Sequence, residues 1–212
     1  MTRLIVFDLD GTLVDSRRDL SNAANALLHD LKRPPLPEER IGDMVGEGAA
    51  VLVRRVLAVS GLPAEMPEAL PRFLELYDTR LLEHTRPYDG IVEALQALQS
   101  RRVLAVLTNK PQAATDKLLS GLDLARYFVQ VIGGDTPLGR KPHPGGLAEI
   151  VRRCDTGIAA TTLVGDSPVD VETGRRAGCH LVVASYGFGF RHMELRGTER
   201  IITHPAELAN LF

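Results

Sequence analysis

A chain of 212 residues, 44% of them hydrophobic and 25% charged, carries enough apolar material for a full globular core, as one large domain or a core with a small insert. Its formal charge of −2 gives no electrostatic ground for binding nucleic acid or an anionic membrane. The lack of tryptophan, with only 5% aromatic residues, also argues against a base-stacking surface.

The first element is Leu4-Ile5-Val6-Phe7, a short apolar run that predicts a buried strand and ends in Asp8-Leu9-Asp10-Gly11-Thr12. Two carboxylates two residues apart stand here where the chain must turn. Like charges held so close resist joint ionisation unless a cation lies between them. The pair therefore suits a nucleophile, an acid–base group and a metal ligand alike, although a solvated Asp/Gly turn is an equally ordinary reading of the motif alone.

The pattern then changes. Leu20, Ala24, Leu27, Leu28 and Leu31 lie on one helix face, which Pro34-Pro35-Leu36-Pro37 ends. A segment through Met44-Val45-Gly46-Glu47-Gly48 leads to a second helix with Leu52, Val56 and Val59, closing at Gly61. A third, with Leu70, Leu74, Tyr77 and Leu81, is expected from about Pro67 to Glu83. Residues 16–84 thus read as a small helical unit with no strand signal.

From Thr85 helices and strands alternate. Ile91, Leu95 and Leu98 mark a helix; Val103–Leu107 is a buried strand ending at Thr108-Asn109-Lys110, and Pro111 opens the next helix. A strand at residues 129–132 precedes the loop Gly139-Arg140-Lys141-Pro142-His143-Pro144. After a helix with Leu147 and Ile150, residues 162–164 form a strand that ends at Gly165-Asp166-Ser167-Pro168. Another helix, a strand at 181–184, and an edge strand and helix over 200–211 complete the chain. Apolar strands separated by helices imply a Rossmann-like, doubly wound parallel sheet. The expected organisation is a catalytic core of residues 1–15 and 85–212, with an α-helical cap of residues 16–84 inserted after the first strand.

Asp8 and Asp10, Thr108 and Asn109, Lys141, and Asp166 each fall at or just beyond the C-terminal end of a predicted strand. In a parallel sheet those ends share one edge, where ligands bind, so the groups can converge on one crevice. A nucleophilic carboxylate, a hydroxyl, a lysine and a further carboxylate for a hard cation suffice for phosphoryl transfer. Taken singly, each has a plainer reading: Thr108-Asn109 and Asp166 as helix caps, Lys141 as a solvated lysine. Their joint order at four strand ends favours a site.

Asp8-x-Asp10-Gly11-Thr12, Thr108, Lys141-Pro142 and Gly165-Asp166-x-x-x-Asp170 resemble the four motifs of the haloacid dehalogenase-like hydrolase superfamily, and they span essentially the whole chain. The insert after the first motif is similar to that superfamily's C1-type cap. Within it, F-D-L-D-G-T-L-V-D-S, V-G-E-G-A, L-T-N-K-P and G-R-K-P-H-P resemble the phosphoglycolate phosphatases. The resemblance implies that Asp8 attacks phosphorus and becomes an aspartyl phosphate, and that Asp10 protonates the leaving alcohol and then activates water. It implies that Thr108, with the Asn109 backbone N–H, and Lys141 hold the phosphoryl group. Mg²⁺ would be held by Asp8, the Asp10 main-chain carbonyl and Asp166, with Asp170 supporting the metal or orienting Lys141.

The expected activity is hydrolysis of a small phosphorylated metabolite by a monomer or homodimer. A phosphosugar mutase of the β-phosphoglucomutase type is the alternative, and a phospho-accepting binding protein with little turnover a more distant one. The phosphate and metal groups cannot recognise the rest of a substrate, so selection is expected from the insert, at Glu47 and Gly48. Cys154 and Cys179 lack C-x-x-C spacing and no run approaches the ~18 apolar residues of a membrane span, so a cytoplasmic protein with reduced cysteines is expected.

Overall fold

The computed structural model describes residues 2–212, the side chain of His192 apart. Strand β1 (Leu4–Phe7) leads through a tight turn to the two-residue strand β2 (Val14–Asp15). Helices α1 (Arg17–Asp30), α2 (Glu38–Gly42), α3 (Ala49–Val59) and α4 (Ala69–Asp78) follow, and the chain returns through β3 (Arg86–Pro87). Then come α5 (Ile91–Gln99), β4 (Val103–Leu107), α6 (Gln112–Gly121), β5 (Gln130–Ile132), α7 (Gly145–Arg153) and β6 (Thr161–Gly165). The chain closes with α8 (Pro168–Ala177), β7 (His180–Ala184), β8 (Arg200–Ile202) and α9 (Leu208–Leu211).

Six strands form a parallel sheet in the order β5-β4-β1-β6-β7-β8, the doubly wound arrangement expected from the sequence. β1 is central because it is buried on both faces. Leu4 and Val6 join Leu147 and Ile150 of α7 on one side, whereas Ile5 and Phe7 pack with residues of α5 and α6 on the other. Each such side chain contributes roughly 1.5–3 kcal/mol, so the turn that follows β1 is anchored on a rigid base. The chain runs outward from β1 to β4 and β5 on one side and to β6, β7 and β8 on the other. That reversal of strand order puts a crevice beyond the C-terminal end of β1.

The helices α1–α4 lie between the strands of an antiparallel ribbon, in which Val14 faces Pro87 and Asp15 faces Arg86. Two residues per strand are too few to show a period of two, so this ribbon carries no signal of its own in the chain. Buried Asp19 of α1 fastens the return of the chain, accepting bonds from the backbone N–H of His84 (2.9 Å), the N–H of Thr85 (2.8 Å) and the Thr85 hydroxyl (2.7 Å). These bonds engage its carboxylate fully, so its proximity to Glu83 and His84 is structural. Helix α4 ends at Asp78, short of the expected Glu83, because the chain tightens into turns from Arg80 N–H to the Tyr77 carbonyl and from Glu83 N–H to the Arg80 carbonyl. The insert has no core of its own: Leu20, Leu52, Phe73 and Tyr77 belong to the same apolar cluster as Ile5 and Phe7.

Candidate active site

Asp8 follows β1 directly, its N–H donating to the Val164 carbonyl of β6 at 2.9 Å. The next residues coil tightly, with Leu13 N–H to the Leu9 carbonyl at 2.9 Å and Gly11 N–H to the Val14 carbonyl at 2.9 Å. Gly11 has φ +90°, and any Cβ there would collide with the Asp166 carboxylate. Glycine is thus required both by the backbone and by the close approach of the β1 and β6 ends.

Three buried carboxylates meet at this point. Oxygen atoms of Asp8, Asp166 and Asp170 all lie within 4.8 Å of one another. Lys141 enters from the loop before α7 and binds Asp8 Oδ1 at 2.7 Å and Asp170 Oδ1 at 2.6 Å. Asp170 Oδ2 accepts from the N–H (3.0 Å) and hydroxyl (2.6 Å) of Ser167, closing a capping box at the start of α8. Both Asp170 oxygens are therefore engaged, one by Lys141 and the other by Ser167. Asp166 accepts from the Thr12 hydroxyl at 3.0 Å and from the Gly189 N–H at 2.8 Å.

Burial, then the Asp170 charge, push Asp8 up to about 7 against the pull of Lys141. Burial followed by the charges of Asp8 and Asp170 holds Asp166 well above the usual carboxylate range. Burial opposes the Lys141 ammonium, but Asp170 and Asp8 outweigh it and keep the lysine above its ordinary value. One ammonium facing three carboxylates leaves a deficit of positive charge, and the donors are all oxygens, which suits a hard divalent cation. Asp8 and Asp166 are the carboxylates that would hold it. The Asp10 carboxylate lies outside this cluster, which leaves its main-chain carbonyl for the role the resemblance assigns.

Asp10 turns to the other side of the crevice. It accepts from the Ser16 hydroxyl at 2.6 Å and from Lys110 Nζ at 3.1 Å to each oxygen. Lys110 also donates to the Tyr77 hydroxyl of α4 at 2.6 Å. Burial works against the Lys110 ammonium, but Asp10 and Tyr77 more than compensate and hold it above the ordinary lysine value. Neither Lys110 nor Tyr77 was singled out from the sequence. Lys110 stands within L-T-N-K-P, but Tyr77 read only as one more apolar position on a helix face, and nothing local pairs residues 33 positions apart.

Thr108 and Asn109 cap β4 and are buried. The Thr108 oxygen accepts from the Lys110 N–H at 3.2 Å, which leaves its hydroxyl proton available to a ligand. The Asn109 amide donates to the carbonyls of Gly46 and Lys141, each at 3.0 Å, tying the α2–α3 loop to the loop bearing Lys141. Asp8, Asp10, Thr108, Asn109 and Lys110 form the polar floor of a cavity with about 550 Å³ of empty volume, part of it open to solvent. Its roof is apolar, from Leu20, Val45, Leu52, Phe73 and Leu74. Gly48 lines this cavity, whereas Glu47 is turned away and ion-paired with Arg55. A carboxylate facing Asp10 across an apolar roof would lose hydration with no counter-charge, and Arg55 offers it one at the surface.

Comparison with known proteins agrees with this geometry. A family model described as haloacid dehalogenase-like hydrolase matches residues 5–184. Phosphoglycolate phosphatase 1 of Pseudomonas aeruginosa is 40% identical over 195 residues, covering 89% of this chain and 71% of that protein. The phosphoglycolate phosphatase of Rhodospirillum rubrum is also 40% identical, over 196 residues, with 89% and 81% covered. The crystal structure of a protein from Haemophilus somnus 129PT, described as a predicted phosphoglycolate phosphatase, superposes with a TM-score of 0.90 at 27% identity, over 99% of this chain and 97% of that one. With a match over most of its length and the carboxylates and lysine gathered at one sheet edge, this chain belongs to the haloacid dehalogenase-like hydrolases.

Proposed function

We propose that this protein is a Mg²⁺-dependent phosphatase of small phosphomonoesters, with phosphoglycolate the first substrate to test, acting through an aspartyl phosphate on Asp8. The observation that carries the reading is the pairing of Asp8 with Lys141 at 2.7 Å, with Asp10 held separately by Ser16 and Lys110 on the same cavity floor. Two carboxylates in different environments suit two different tasks. The names of the relatives support phosphoglycolate in particular.

In this reading an Asp8 oxygen attacks phosphorus and the bond from phosphorus to the leaving oxygen breaks. Asp10 gives its proton to that oxygen, releasing the alcohol. Asp10, now a carboxylate, takes a proton from water as the water attacks phosphorus, which frees inorganic phosphate and regenerates Asp8. Lys141 balances charge on Asp8 and the phosphoryl group, and Thr108 donates its hydroxyl proton to a phosphoryl oxygen. Mg²⁺ bound by Asp8 and Asp166 would keep Asp8 ionised and offset charge on the phosphoryl oxygens. A reducing, cytoplasmic setting belongs to the same reading, with Cys154 and Cys179 free. Among the described residues, no helix is long and apolar enough to cross a membrane.

The test is a panel of phosphomonoesters assayed for released phosphate and for isomerised sugar phosphate. Phosphate release that needs Mg²⁺, stops in excess chelator and returns poorly with Ca²⁺ is expected, since Ca²⁺ asks for six to eight looser ligands. Full activity in chelator would count against the metal, and isomerised product without phosphate would favour the mutase. Thermal unfolding gives a second readout. The raised Asp8 value means that this group's stabilising contribution, complete below about pH 4, is lost as pH rises through about 7 in metal-free protein. Mg²⁺ is therefore expected to raise Tm more at pH 8 than at pH 5, and an equal shift at both would contradict the assignment.

The helices α1–α4 serve as a lid over the cavity in this reading, excluding water and meeting the substrate's non-phosphoryl end. Gly48 has φ +90°, and a Cβ there would lie 3.1 Å from both the Asn109 carbonyl oxygen and an Arg140 side-chain nitrogen. Gly48→Ala is expected to shift relative kcat/KM among phosphomonoesters by tenfold or more, about 1.4 kcal/mol of differential transition-state binding. Glu47→Gln, at a side chain held by Arg55, should shift it by less than about threefold. If Gly48→Ala slows every ester, and phosphorylation of Asp8 by acetyl phosphate, by one common factor, the loop has no part in selection.

A further inference from the structure

Phosphoryl transfer accounts for Asp8, Asp10, Thr108, Lys141 and Asp166, and it gives Lys110 no task beyond holding Asp10. Lys110 is the only cation among the described residues lining the cavity. Its side chain is 3% exposed. An ammonium is costly to bury and is kept where a charge must be met. The equal distances of 3.1 Å to the two Asp10 oxygens are those of one shared proton, and the Tyr77 hydroxyl takes a second at 2.6 Å. An ammonium has three, so one N–H remains for a ligand.

The position of Lys110 follows from the role of Asp10. To protonate the leaving oxygen, an Asp10 oxygen must come within hydrogen-bond reach of it. Lys110 Nζ, 3.1 Å from both Asp10 oxygens, then stands within about 6 Å of the leaving oxygen. That is where a substituent on the carbon bonded to the leaving oxygen would lie. Beyond it the roof offers Leu52, Phe73 and Leu74, which can pair with neither a charge nor a run of sugar hydroxyls.

We propose that Lys110 is the receptor for a second anionic group of the substrate, a carboxylate on the carbon that carries the leaving oxygen. Resting on the phosphatase reading above, this selects phosphorylated 2-hydroxy acids with a short or apolar tail over sugar phosphates. Tyr77, reaching from α4 to Lys110, holds the ammonium in place from the lid side. The competing role for Lys110 is positioning of Asp10 alone, which would serve every ester equally.

The experiment compares kcat/KM, with saturating Mg²⁺, for phosphoglycolate and 2-hydroxyethyl phosphate, in which a neutral group replaces the carboxylate. Wild type is expected to prefer phosphoglycolate. Lys110→Gln should lower kcat/KM for phosphoglycolate about a hundredfold beyond its loss on the neutral ester, chiefly through KM. Tyr77→Phe removes one hydroxyl and keeps the ring, so it guards against a misfolded lysine variant, and it should narrow the preference by about threefold or more. Equal losses on both esters in both variants overturn the proposal. A wild type that hydrolyses both without preferring the carboxylate also overturns it, while the phosphatase reading stands. If no ester is hydrolysed, that reading fails instead, and calorimetric binding of phosphoglycolate with Mg²⁺ decides: weaker binding to Lys110→Gln than to wild type supports the receptor, and equal binding rejects it.

Discussion

Replacement of Asp8 by Asn is expected to abolish turnover, by at least about 10⁴-fold, because an amide cannot form the acyl phosphate and no neighbouring group can substitute for it. Asp166 accepts from Thr12 and Gly189, and Asp170 is bound to Lys141 and Ser167. Neither is free to attack. The fold should survive the change. Asp8 is a buried carboxylate that burial and Asp170 push up to about 7, so a neutral amide of the same shape relieves repulsion within the cluster. In metal-free protein at pH 8 the variant's Tm is expected to equal or exceed that of wild type. Phosphate release within about tenfold of wild type would remove Asp8 from the nucleophile's role.

Asp10→Asn is expected to cost roughly 10²–10⁴-fold in kcat, the usual scale of general acid–base catalysis. The loss should be smaller for aryl phosphates, whose leaving groups need less protonation, than for phosphoglycolate or other alkyl esters. Equal losses on the two ester types, with dephosphorylation of the enzyme still fast, would overturn the acid–base role. The stability effect should have the opposite sign to that at Asp8. Lys110 would keep the Tyr77 hydroxyl but lose its counter-charge, and removing one partner of a fully buried pair costs about 3–5 kcal/mol. The Asp10 side chain is 13% exposed, which lets water screen part of that cost. A fall in Tm for Asp10→Asn but not for Asp8→Asn, measured side by side, is therefore the expected result. It would show that the two carboxylates do different electrostatic work two residues apart.

The contrast also indicates what was legible in the chain and what was not. Leu4–Phe7 and Val103–Leu107 are apolar runs bounded by turn residues, and Thr162-Leu163-Val164 is a short β-favouring stretch before Gly165; such segments have few alternatives to a buried parallel strand. With the strands placed, Asp8, Thr108 and Asp166 follow as residues at the ends of β1, β4 and β6, and parallel pairing brings those ends to one edge. Fold class, the crevice and the residues that meet there were therefore already in the sequence by local pattern and order.

Contacts across the crevice were not. That Glu47 turns to Arg55 while Gly48 lines the cavity depends on how the loop before α3 rests on Asn109, and a glycine-bearing turn does not reveal which side it presents. That Asp170 grips Lys141, a contact the resemblance left as one of two alternatives, required the loop before α7 and the first turn of α8, 29 residues apart, to meet. The pairing of Lys110 with Asp10 and Tyr77 is the plainest case, since it joins residues 100 and 33 positions apart through side chains alone. Period and spacing report on the backbone's local geometry and on which face is apolar. Which buried charge meets which is set only when helices from distant parts of the chain close over one cavity, because desolvation forces every ammonium and carboxylate left inside to find its partner there.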